Sequence, residues 1–114
     1  MTETSKINQV DSLGRAQGYW EHVSEDGYVL SGSYVDGVRH GLWQDAFPDG
    51  GVFAQCYFKN GVQHGEQEII YNAEVIKTSW ENGLVHGDFT TTCLETGEIL
   101  DVANYYNGVQ IKQN

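Results

Sequence analysis

The stretch Tyr34-Val35-Asp36-Gly37-Val38-Arg39-His40-Gly41-Leu42-Trp43 decides the fold, because the chain returns to it twice. It comes back as Phe58-Lys59-Asn60-Gly61-Val62-Gln63-His64-Gly65-Glu66-Gln67 and as Trp80-Glu81-Asn82-Gly83-Leu84-Val85-His86-Gly87-Asp88-Phe89. Each copy opens on an aromatic residue, passes through Asp-Gly or Asn-Gly and then carries His-Gly. Asp-Gly and Asn-Gly favour type I′ turns, whose positive φ angles match the right-handed twist of the flanking strands, so each copy reads as the tip of a β-hairpin.

Outward from this core, the turn glycine has counterparts at both ends of the chain. Gly14, Gly37, Gly61, Gly83 and Gly108 follow one another at intervals of 23, 24, 22 and 25 residues. A second set of turns stands midway between these anchors: Glu25-Asp26-Gly27, Pro48-Asp49-Gly50-Gly51, Asn72-Ala73 and Thr96-Gly97. Each unit is therefore strand, turn, strand, turn. Joined end to end, about four and a half units predict an all-β chain, a single-layer antiparallel meander of about nine strands, elongated and open. The hairpin domain is placed at residues 13–114, after an N-terminal tail of residues 1–12.

Side-chain alternation tests this register. Three residues before the anchors stand Tyr34, Phe58, Trp80 and Tyr105, and two residues further back stand the small Gly32, Cys56, Thr78 and Ala103. A two-residue turn keeps Gly18, Gly41, Gly65 and Gly87 on the same face, followed two residues on by Trp20, Trp43, Gln67 and Phe89. Phe47, Tyr71 and Cys93 fall on it as well. A large ring can lie across a neighbouring strand only where that strand carries no bulky side chain. The reading therefore expects a ring over each small position, including the glycine that follows each histidine. The opposite face is mixed. Near the tips it holds His40, His64, His86, Glu21, Glu66, Glu68, Glu81 and Asp88. Far from them it holds Val23, Val29, Phe53, Ile70, Val75 and Leu100.

Composition agrees. Among 114 residues there are 14 Gly, one Pro, three Trp, seven Tyr and four Phe, too aromatic for a disordered chain and too rich in glycine for a helical bundle. Sixteen acidic residues against six basic ones give a formal charge of −10. Such a chain repels nucleic-acid phosphates and anionic headgroups and attracts a basic partner. The same acidity also keeps an open sheet soluble. MTETSKINQV holds no apolar run of signal-peptide length, which predicts a cytoplasmic location.

Taken together, the aromatic residue, the Asn/Asp-Gly pair and the His-Gly pair resemble the MORN repeat, over about residues 13–110. They are most similar to the variant found in small bacterial proteins, some of them antitoxins. Trp43, Gln67 and Phe89 stand where the eukaryotic form has a further glycine. The resemblance implies an elongated single-layer sheet used as a platform for protein–protein contact, in a bacterial or phage-encoded protein.

Catalytic and metal chemistry find little support. The His-Gly histidines sit on every second strand, about 9.6 Å apart, whereas two ligands of one zinc are separated by at most roughly 4 Å. A local hydrogen bond near each hairpin tip is the expected role. Cys56 and Cys93 share a face but lie about three strands apart, beyond disulfide reach, and are expected as free thiols. Glu66 and Glu68 are paired carboxylates on a flat sheet, with nothing to desolvate them. No cofactor is implied.

The expected function is that of a non-catalytic binding module. Glu21, Glu66, Glu68, Glu81 and Asp88 form an acidic face for a basic protein such as a toxin or nuclease, as an antitoxin or immunity protein would, with no nucleic acid and no membrane as partner. The alternative is a self-assembling structural module. In it, the uncovered face meets a second copy or the segment Lys6–Leu13, or the last edge strand, about Val109–Lys112, pairs with another chain.

Overall fold

The computed structural model describes residues 7–111. Among them the chain is all β, with 11 antiparallel strands in one open sheet and no helix. The strands are β1 (Gln9–Val10), β2 (Ala16–Val23), β3 (Val29–Val35), β4 (Val38–Ala46), β5 (Val52–Lys59), β6 (Val62–Gln63), β7 (Gly65–Tyr71), β8 (Glu74–Glu81), β9 (Leu84–Cys93), β10 (Ile99–Tyr106) and β11 (Val109–Ile111). They neighbour one another in sequence order, except that the short β6 pairs with β5 beside β7. The count exceeds the expected nine for two local reasons. One strand is split at His64 into β6 and β7, and residues of the tail add β1. The molecule measures 62 × 31 × 22 Å, with a radius of gyration of 17.0 Å. A compact chain of this length would have about 13 Å, so the sheet is elongated.

The tips are built as the dipeptides require. Asp36, Asn60, Asn82 and Asn107 have φ between 47° and 52°, and the glycines after them have φ of 82°, 83°, 83° and 86°. Positive φ at both central residues is the signature of the type I′ turn. Each tip then docks on the hairpin before it. The amide of Gly37 donates to the Ala16 carbonyl at 2.9 Å, Gly61 to Arg39 at 2.9 Å, Gly83 to Gln63 at 3.0 Å and Gly108 to Val85 at 2.7 Å. In every case the acceptor stands two residues after the preceding anchor.

The alternation of large and small side chains is carried by the strand register. Trp20 pairs with Gly32 and Gly32 with Trp43; Trp43 pairs with Cys56, Thr78 with Phe89 and Phe89 with Ala103. A Cβ built on Gly32 would lie 2.2 Å from the Trp43 indole, so the ring occupies the space of the missing side chain. Trp43 is the one fully buried large side chain among the described residues, at 1% exposure. Its indole N–H donates to the Ser33 carbonyl at 3.1 Å. Burying a ring of 150–250 Å² contributes roughly 4–6 kcal/mol, which makes this the densest point of a sheet that has no second layer.

The glycine four residues after each of the first four anchors, preceded by histidine in three of them, has a different explanation from the expected one. A Cβ at Gly18 or Gly41 would meet nothing within 4 Å; at Gly65 it would make ordinary contact with Tyr57, 3.7 Å from its Cβ and 4.0 Å from two ring carbons, and at Gly87 it would lie 3.6 Å from the Ser79 Cβ. The backbone requires glycine there instead, with φ of 72°, 76°, 91° and 96°. The register shows why. Ser33 pairs with His40 but Gly32 with Trp43, so Gly41 and Leu42 are two extra residues on β4, a bulge with glycine in the left-handed region. A matching shift lies between Thr78 and Trp80 opposite β9.

Two further expectations change. Phe47 and Phe53, assigned to opposite faces, have ring centroids 4.6 Å apart and meet Tyr28 at 5.9 and 6.1 Å. A register shift between Asp45 and Ala46 accompanies their meeting beside the β4–β5 turn. The N-terminal segment extends the sheet rather than covering the aromatic face. β1 pairs with β2, and the Asn8 side chain accepts from the Glu21 amide at 2.7 Å and donates to the Glu21 carbonyl at 3.1 Å. Asp11 accepts from the Gln17 amide and the Arg15 amide and guanidinium, and these bonds hold its carboxyl well below the usual carboxylate range. Lys6 and Lys112 lie outside the described residues.

Candidate protein-binding face

β7, β8 and β9 lie side by side, and strand alternation sends Glu66 and Glu68, Lys77 and Ser79, and Asp88 to one face. Glu66 pairs with Ser79 and Glu68 with Lys77. The Lys77 ammonium stands 3.9 Å from a Glu68 carboxylate oxygen, both side chains being substantially exposed. A shallow depression of about 230 Å³ is lined by Glu66, Lys77, Thr78, Ser79, Asp88 and Thr90. Glu81 closes the tip end of β8, with its carboxylate 3.6 Å from the His86 Nε2. Glu66, Glu68, Glu81 and Asp88 thus share one face of three adjacent strands with the Lys77 ammonium, and Glu66, Glu81 and Asp88 face water. Water screens each pair at this surface, so the cluster acts through its summed field rather than through any one ion pair.

Glu21 shares this face but not this patch. It lies on β2, four strand spacings from β7, roughly 19 Å at sheet geometry. There it is half-buried, its backbone clamped by Asn8 and its carboxylate accepting from the Tyr19 hydroxyl at 3.1 Å. Sequence reasoning omitted Lys77, although its odd position on β8 places it opposite Glu68 by the same alternation that placed Glu81.

The His-Gly histidines are not equivalent. His86 Nδ1 accepts the Asn107 amide at 3.3 Å, the expected bond at a hairpin tip. His64 donates its own backbone amide to Tyr57 at 2.9 Å, while its Nδ1 is enclosed without a hydrogen-bond partner among the described residues. The described residues hold no group of three or more His, Cys, Asp or Glu side chains arranged to bind a metal.

On the aromatic face, two residues that alternation also reaches were missed. His22 stacks between the indoles of Trp20 and Trp43, at 5.6 and 6.1 Å, with its Nε2 3.0 Å from the Tyr34 hydroxyl. The Arg39 guanidinium lies 4.7 Å from the Trp43 ring centroid and 5.3 Å from that of Phe58. Arg39, Trp43, Phe58 and Cys56 line a depression of about 170 Å³. Burial there pushes the Cys56 thiol up. Cys93, at the end of β9, is shifted down by hydrogen bonds from the Thr96 hydroxyl and the Thr96 and Glu95 amides. Both cysteines are free.

Fold and surface together define a class: an open, single-sheet β meander that presents one aromatic face and one partly acidic face. Compared with protein-family models the chain matches none, and no curated protein matches it either.

Proposed function

We propose that this chain is a non-catalytic binding module of MORN-like hairpins, whose acidic face docks a basic surface on another protein. The observation that carries the reading is the placement of Glu66, Glu68, Glu81 and Asp88 beside the single Lys77 on one face of three adjacent strands, in a chain with net charge −10. An excess of one sign on a flat face steers an oppositely charged partner and speeds the encounter more than it tightens the complex. An antitoxin or immunity protein that covers the basic surface of a toxin or nuclease in the cytoplasm is the form of this function that the repeat resemblance suggests. Glu21, on β2 four strands from β7, is outside the docking patch.

The test immobilises the wild-type chain and a variant carrying Glu66→Lys, Glu68→Lys and Asp88→Lys, and compares what each captures at low and at about 1 M salt, where the Debye length falls to about 3 Å. Basic proteins held by the wild type at low salt should be lost at high salt and on the variant. An identical captured set on both proteins removes the acidic face from the mechanism.

A further inference from the structure

The two ends of the sheet are finished differently. At the first, the edge strand β1 is only two residues long and the Asp11 turn joins it to β2, with the Gly14 amide donating to the Asp11 carbonyl at 3.0 Å. At the other end β11 has no neighbour beyond β10 among the described residues. Exposed strand edges are ordinarily blunted by charge, proline or a bulge. Between Asp101 and Lys112, residues 102–111 contain no charged residue and no proline, in a chain with 16 acidic residues. Val102, Tyr106, Val109 and Ile111 point to one face and are exposed, Val109 by 69% and Ile111 by 51%. A second copy meets no like charge along this edge, whereas most of the molecule repels it.

The hydrogen-bond phase of β11 is self-complementary. A two-residue turn at Asn107-Gly108 makes Tyr106 and Val109 a hydrogen-bonded pair, as are Asn104 and Ile111, so both polar groups of Gln110 point outward. Gln110 occupies the position, two after the anchor, at which Ala16, Arg39, Gln63 and Val85 each accept an amide from the next hairpin. We propose that two copies of this chain join antiparallel through β11 about a two-fold axis at Gln110. Each Gln110 donates its amide to the other's carbonyl, and Val109 of one copy lies against Ile111 of the second. Isologous closure ends this contact at two, because each copy spends its β11 edge on the other. Val109 and Ile111 lie on the same sheet face as Asp88, which pairs with Asn104 on β10, but the contact is made at the β11 edge, two strands from Asp88, and stands or falls independently of the acidic patch.

Sedimentation of the chain at tens of micromolar should give twice the 12.7 kDa monomer mass. Gln110→Pro, which removes the outward amide, and Ile111→Lys, which charges the edge, should each restore the monomer with an unchanged β circular dichroism spectrum. In a Cys56→Ser, Cys93→Ser background, oxidised Gln110→Cys should form a disulfide dimer, since residues in a hydrogen-bonded pair have Cα atoms about 5.5 Å apart. Val109→Cys should not, its two copies being about 8 Å apart at this register. A monomeric wild type, a dimer surviving both edge variants, or equal cross-linking at residues 109 and 110 overturns the proposal.

Discussion

The indole of Trp43 lies directly on Gly32, its partner on the adjacent strand, so close that a Cβ on Gly32 would stand 2.2 Å from the ring. The indole of Trp43 also packs against His22 and Tyr34, with centroids 6.1 and 5.0 Å away, and against Phe58 at 6.4 Å. A single layer has no opposing sheet to bury its rings against. It buries them along its own surface, and each ring then needs a small neighbour.

Gly32 and Gly41 should therefore fail in different ways. Gly32→Ala forces the Trp43 ring off its strand, and overpacking of this kind costs about 1–3 kcal/mol. Gly41 has open space but a φ of 76°, so Gly41→Val should cost about 1–2 kcal/mol through backbone strain, while Gly41→Asn should cost less because Asn tolerates the left-handed region. Urea melts of the three variants decide this. Equal losses for Asn and Val at residue 41 would show that tolerance of the left-handed region does not govern the bulge.

Ala73 offers a gain. It sits at φ 62° beside Asn72 at 55°, a type I′ turn in which alanine holds the place glycine prefers. Ala73→Gly should stabilise the protein by about 1 kcal/mol and raise Tm by about 4 °C. A calorimetric scan showing a lower Tm would mean that the entropy glycine adds to the unfolded chain outweighs the relief of strain.

The two thiols should separate by reactivity. Hydrogen bonds from Thr96 and Glu95 favour the Cys93 thiolate, and burial disfavours that of Cys56. Because the thiolate is the nucleophile, folded protein near neutral pH should be alkylated first at Cys93, with the Cys56 rate rising only at higher pH. Peptide mapping after brief iodoacetamide treatment reads the order directly. Faster labelling of Cys56 contradicts both environments.

The sequence by itself determined the hairpins, the antiparallel meander and the pairing of large with small side chains. These follow from local rules: two-residue turns that need positive φ at Asp36-Gly37 and its counterparts, and strict two-residue alternation along each strand. Alternation also sent Glu66, Glu68 and Asp88 to one face. Only the tertiary structure decided why Gly41 is glycine, because a bulge exists only in relation to the strand beside it. A count along one chain does not show that Gly32 faces Trp43 while Ser33 faces His40. A register shift likewise accompanies the meeting of Phe47 and Phe53. Order across the sheet, which no single hairpin contains, left Glu21 four strands from its expected companions and set Lys77 among them. Local turns fix which way a side chain points, but the lateral register of many strands fixes what it meets.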